Sequence, residues 1–195
     1  IELKYMTAKE EDILTSQNLI KKGTVIEKLL QSCIVTKNVS PDDLMIGDKN
    51  AVMVAIRILA YGGEYECDVL NPKTQDKVRT TFDLTACEFK GLVDGIDYSN
   101  NEFDLTLPIS KIPITYKILT GKDENNIQQE LKSLNKIGQS GEITTRLKHL
   151  ITSVNGDKER STINNFVDNM LSKESLYLRE EVKKITPDID LTQEV

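Results

Sequence analysis

Hydrophobic and polar positions change period twice along the chain. In the first third, apolar residues recur at helical intervals. Thr7-Ala8-Lys9-Glu10 has the form of a capping box, and Ile13, Leu14 and Leu19 continue a weak stripe that closes near Gly23. Thr24-Val25-Ile26-Glu27 repeats the capping pattern. Ile26, Leu29, Leu30 and Cys33 then follow at i, i+3, i+4, i+7 spacing, which predicts one buried helix face. Ser40-Pro41-Asp42-Asp43 predicts a third, short helix, with proline at its first position and acids near the positive end of the dipole. Gly47-Asp48-Lys49-Asn50 reads as a turn feeding a helix from about Lys49 to Tyr61. Val52, Met53, Val54, Ile56, Ile58 and Leu59 make that helix apolar on most sides, as expected of a central core helix. Gly62-Gly63 stops it.

After Gly63 the period becomes two. Tyr65, Cys67 and Val69 alternate with Glu64, Glu66 and Asp68, Asn71 to Thr74 reads as a turn, and Val78 to Leu84 returns. This predicts a hairpin. Ala86 to Tyr98 fits neither period. Phe103, Leu105 and Leu107, with Ile114 to Leu119, predict a second hairpin, and Pro113 suits a strand start or edge. Beyond Gly121 the helical period returns over Asp123–Lys136, Ile143–Val154, a segment capped by Ser161, and Ser175–Ile185. Thr186 to Val195 reads as an extended acidic tail. The order predicts an α+β fold in three parts: a helical region over 1–62, a small antiparallel β region of two hairpins over 63–120, and a helical region with the tail over 121–195. Nothing alternates βαβ, which argues against a dinucleotide-binding sheet.

Composition narrows the function. The 195 residues are 38% hydrophobic and 29% charged, too apolar for a disordered chain and too polar for a membrane protein. The net charge of −6 is opposite to the basic surplus that phosphate neutralisation requires, so neither nucleic acid nor membrane is an expected partner. Three cysteines without a close pair do not describe a disulfide framework or a zinc site, and the usage fits a reducing cytoplasm. Ile1-Glu2-Leu3-Lys4 opens on a polar helix with no signal-peptide pattern. The lone histidine, His149, sits between Lys148 and Leu150 in a helical pattern, where a surface position is the ordinary reading. No phosphate loop occurs. Acid pairs such as Glu10-Glu11-Asp12 and Asp42-Asp43 lie in first helical turns, where they complement the dipole without a metal. The expectation is a non-enzymatic interaction protein with no catalytic residue, no metal and no cofactor.

Particular strings then carry a resemblance. Tyr5-Met6-Thr7-Ala8-Lys9-Glu10-Glu11-Asp12-Ile13-Leu14, Leu44-Met45-Ile46-Gly47-Asp48-Lys49-Asn50-Ala51 and Arg57-Ile58-Leu59-Ala60-Tyr61-Gly62 stand in this order. Thr145-Arg146-Leu147, Phe166-Val167-Asp168 and Pro187-Asp188-Ile189-Asp190-Leu191 follow. The chain resembles the baseplate hub subunits and hub assembly factors of T-even-like, contractile-tailed bacteriophages. The resemblance implies a place in the tail baseplate of the virion, assembly in the bacterial cytoplasm, and other baseplate or tail proteins as partners, in copies that follow the tail's symmetry. It implies no catalysis. Many relatives carry a C-x-x-C in the hairpin after the Tyr-Gly stop. Here Cys67 holds the first place and Leu70 the second, so the hairpin reads as a zinc ribbon that has lost its metal.

Three regions are expected to form the interaction surface: Tyr5, Met6 and Asp12; Gly47, Asp48, Lys49 and Asn50; and Asp188, Ile189, Asp190 and Leu191. Each also has a local explanation, since Thr7 and Asp48 suit caps and Gly47 suits a turn. Ile189 and Leu191 either join a neighbour's sheet edge or pocket, or pack back on their own helices. The main functional reading is a built-in baseplate component. The alternative is a transient hub assembly chaperone absent from the finished particle. A cell-wall hydrolase would need a paired acid and nucleophile, for which Glu10 and Asp12 are ordinary candidates.

Overall fold

The computed structural model describes residues 1–70 and 75–192. The chain runs α1 (Ala8–Thr15), α2 (Gln17–Lys22), α3 (Val25–Cys33), α4 (Ile46–Tyr61), β1 (Glu64–Leu70), β2 (Lys77–Asp83) and β3 (Glu88–Lys90). It continues through β4 (Phe103–Thr106), β5 (Pro113–Tyr116), α5 (Gly121–Lys136), α6 (Glu142–Leu150), β6 (Ile151–Val154), α7 (Arg160–Asp168), α8 (Ser172–Ile185) and β7 (Asp188–Asp190). Helices with small antiparallel sheets make this an α+β fold. The chain forms two compact units, one from Ile1–Gly91 with the chain from Pro187 on, the other from Leu92–Thr186. This division cuts through the 63–120 stretch and returns the tail to the N-terminal unit.

The first unit is built on α3 and α4. Leu29, Leu30, Cys33, Leu44, Val52 and Ile56 form its core, and Met6, Ile13 and Leu14 pack on from the N-terminal segment. Residues before α1 are extended rather than helical: Leu3 bridges Ile34, and Lys4 N–H donates to Cys33 O. The capping box at Thr7 forms, with the Thr7 N–H donating to Glu10 at 2.8 Å. The second one does not. Thr24 is the N-cap of α3 but makes no side-chain cap bond, because Glu27 is drawn to Lys49 instead. The expected helix at Ser40–Leu44 is a single turn closed by Asp43 N–H to Ser40 O. Gly47 to Asn50 is the first turn of α4, not a loop before it.

β1 and β2 pair antiparallel from Glu64↔Asp83 to Leu70↔Lys77, as the alternation predicts. The predicted turn at Asn71–Thr74 lies outside the described residues. Leu84–Ala86 forms one 3₁₀ turn, and β3 follows within the stretch that fitted neither period.

The second unit centres on a three-stranded sheet in the order β4-β5-β6. Leu107, Ile114, Ile118, Ile127, Ile151 and Leu178 are its most deeply buried apolar residues. The predicted helix over Ile143–Val154 stops at Leu150, and Ile151-Thr152-Ser153-Val154 turns into β6. Pairing of Ile114 with Val154 and of Tyr116 with Ile151 outweighs the helical period, and two of the four residues are β-branched at pairing positions. α7 starts at Arg160 rather than at a Ser161 cap. Asp157 organises the entry, accepting from Glu159 N–H and the Thr162 hydroxyl. Asn101, at φ 49°, exchanges two side-chain bonds with the backbone of Ile118 and so extends the hairpin without a strand. Tyr98, Phe103 and Tyr116 form an aromatic row with centroids 5.5 and 5.6 Å apart. Burial, helped by the nearby Glu181 carboxylate, pushes the Tyr116 hydroxyl up to about 12. The first turn of α8 carries Glu174, a residue 2% exposed, whose carboxylate accepts the Ile109 and Ser110 N–H groups at 3.1 and 2.7 Å.

Candidate interaction site

Two of the three expected regions meet at the N-terminal end of α4. Met45 is the N-cap, so Gly47 lies on the helix surface in its first turn, and it is buried. The backbone of Pro187 crosses it so closely that a Cβ there would stand 1.8 Å from Pro187 O. This glycine is set by close approach, not by a turn. Its φ is ordinary for a helix. Next to it, Asn50 Nδ2 donates to Asp188 Oδ1 at 3.3 Å, and the same oxygen accepts the Ile189 N–H. β7 then pairs antiparallel with β3, Ile189 opposite Phe89, and Ile189 is 5% exposed. The tail's central apolar residue therefore packs within its own unit. Asp190 accepts the Thr192 N–H at 2.8 Å.

Lys49 is occupied as well, in an ion pair with Glu27 at 3.1 Å in which both side chains are largely shielded. Asp48 remains exposed. The third region lies on α1. Tyr5 is 70% exposed and Asp12 is exposed, whereas Met6 faces the core. Beside them Glu10 is fully buried, its carboxylate accepting from Ser32 Oγ (2.6 Å), Thr7 Oγ1 (2.6 Å), Lys4 Nζ (2.9 Å) and the Thr7 N–H. These donors, Ser32 foremost, hold its carboxyl far below the usual carboxylate range. The depressed group contributes stability that is complete above the ordinary carboxylate pKa and is lost as pH falls towards its own. Glu10→Gln is expected to destabilise the protein at pH 7 and to approach the parent as pH falls below the ordinary carboxylate range. Urea midpoints at stepped pH check this, and a gap that stays constant with pH would overturn it.

Sequence reasoning missed an open apolar groove of the first unit. A groove of about 540 Å³ runs between α4 and the β1–β2 hairpin. Met53, Val54 and Arg57 form the helix side, and Tyr65, Cys67, Val69 and Phe82 the hairpin side. Leu84 and Leu191 also line it. The signal was present: α4 is apolar on more sides than α3 and β7 can cover, and the hairpin's alternation supplies an apolar face opposite. Cys67, first position of the expected ribbon, faces Thr80 across the ladder. Among the described residues no three His, Cys, Asp or Glu side chains are arranged to hold a metal, and no helix is long and apolar enough to cross a membrane.

Among the described residues Arg57 is the one charged group in the groove wall. Its guanidinium donates to Gly62 O at 3.0 Å and Glu64 O at 3.3 Å, and lies 5.0 and 5.7 Å from the ring centroids of Tyr61 and Tyr65. No carboxylate among the described residues pairs with it. Charge, an aromatic pair and a long apolar wall together give a surface suited to a protein segment rather than to a polar metabolite.

Residues 1–194 match the family described as T4 bacteriophage base plate protein. Comparison with curated proteins and with solved structures gives no significant match. The match covers both compact units and extends through β7, so the close crossing at Gly47 and the open groove both fall within it. The chain belongs to the family of T4 bacteriophage base plate proteins.

Proposed function

We propose that this protein is a non-enzymatic structural component of a contractile tail's baseplate, at or next to the hub, assembled in the host cytoplasm and held by protein–protein interfaces. The observation that carries the reading is the open apolar groove beside α4, a surface whose burial by a neighbour stabilises assembly. The chemistry of the acids agrees. Glu10, the carboxylate best placed to be a hydrolase acid, is ionised, enclosed and fully bonded inside its own unit, and so has no proton to donate. His149 is half-buried and bonds the Glu130 carboxylate at 3.1 Å. The hub position rests on the resemblance of the Tyr5–Leu14 and Leu44–Ala51 strings to hub subunits and hub assembly factors.

Quantitative mass spectrometry of purified infectious particles tests the proposal. A signal in fixed ratio to the other tail proteins is expected. Abundance in infected-cell lysate with absence from particles would overturn it in favour of the assembly chaperone.

A further inference from the structure

The groove beside α4 is joined to a sheet edge that has no strand partner among the described residues, and the two features share one charged residue. Among the described residues β1 pairs only with β2, in a two-stranded sheet. Leu84 N–H donates to Gly63 O at 2.9 Å. The alternation of an antiparallel ladder then turns the backbone groups of Glu64, Glu66 and Asp68 outward, away from β2. Arg57 stands at the start of that edge, on Glu64 O. The side chains of Tyr65, Cys67 and Val69 face the groove. A strand added to this edge would place every second side chain on the same face, continuing the groove's apolar wall. At the Gly63 end of the edge, that face meets the guanidinium, a half-buried cation with no carboxylate partner among the described residues. A partner's carboxylate there would meet a charge that carbonyls and two rings only partly satisfy, and would add a charge-assisted bond to it.

We propose that the outer edge of β1 and the adjoining groove receive an extended segment of a neighbouring protein, with alternating apolar side chains in the groove and a carboxylate on Arg57. This deepens the structural reading above and rests on it for the identity of the neighbour as a baseplate protein. In the proposed assembly, such a strand would also cover the apolar face of a hairpin that a two-stranded sheet leaves marginal on its own.

The probe is a blocked nine-residue peptide that alternates threonine with Asp, Leu, Val and Leu, so that the acid ends the apolar face. Its twin has Lys for Asp. The full-length protein is labelled at the methionine methyl groups. It has four methionines, and Met53 is the one in the groove wall. The Met53 signal is expected to shift on titration with the acidic peptide, and the lysine twin to bind about ten-fold more weakly. Arg57→Glu is expected to reverse that order. Leu191→Arg, at a 51% exposed position in the groove wall, is expected to abolish both shifts without unfolding the chain. A Met53 signal unmoved by the acidic peptide at about 1 mM, or equal binding of the two peptides, would overturn the proposal. So would a Met53 shift that follows protein concentration alone, since the occupant would then be a second copy. Particle mass spectrometry separates this from the broader reading: a groove that binds nothing in a protein present in virions defeats the strand alone, and a groove that binds in a protein absent from virions defeats the structural role alone.

Discussion

Gly47→Ala is expected to destabilise the protein by about 2 kcal/mol and to release β7 from β3 and α4. The sign is what makes the test sharp. A glycine inside an exposed helix costs roughly 0.5–1 kcal/mol relative to alanine, so propensity alone predicts that the alanine stabilises. The new Cβ, however, would lie 1.8 Å from Pro187 O and 2.9 Å from the Asp188 Cα, both backbone atoms that cannot rotate away. The chain must move off α4. That movement exposes Ile189, worth about 2–3 kcal/mol, and breaks the ladder with Glu88, Phe89 and Lys90. Chemical denaturation gives the total, and amide exchange locates it. Fast exchange is expected at the β3–β7 pair, with α3 protected as before. A stabilised variant with β7 still protected would refute the close crossing.

The second large effect concerns the other unit. Glu174→Ala is expected to cost about 2–4 kcal/mol, because it removes a charged acceptor from two backbone N–H groups at once. Those bonds tie the loop at Ile109 and Ser110 to the first turn of α8, next to Leu178 in the core. Both bonds end on one oxygen, Oε1, so Glu174→Gln keeps an acceptor for both and loses only the charge, and it is expected to lose about half as much. The amide resonances of Ile109 and Ser110 should move in both variants, further in the alanine one. Equal losses for Ala and Gln would mean that the carboxylate fills space rather than binding the loop. The graded result follows because the alanine variant loses both the acceptor and its charge, and the glutamine variant only the charge.

The regular elements were legible wherever one local force dominated. The i, i+3, i+4, i+7 spacing of Leu29, Leu30 and Cys33 marks the face that is in fact buried, and the alternation of Tyr65, Cys67 and Val69 marks β1. The box at Thr7 could be read because both its partners lie within three residues. Its copy at Thr24 could not be judged, because Glu27 prefers a lysine 22 residues away. Of the expected interaction residues, Gly47, Asn50 and Asp188 do come together, but in contact with one another. Tyr5, Asp12 and Asp48 stay open to solvent.

By itself the sequence determined the fold class, most of the helices, both hairpins and the family, since these depend on period, capping and short strings that need no knowledge of distant residues. Tertiary structure alone decided the rest. Ile151 leaves its helical period because β5 has an open edge to fill, and Ile189 docks at home because β3 offers a partner and Gly47 lacks a side chain. Among the described residues Arg57 stands without a carboxylate, because they bring it carbonyls and rings instead. Each of these outcomes is a competition between a local preference and a partner remote in sequence. The strength of the remote partner is set by burial and close approach, which exist only once the chain has folded.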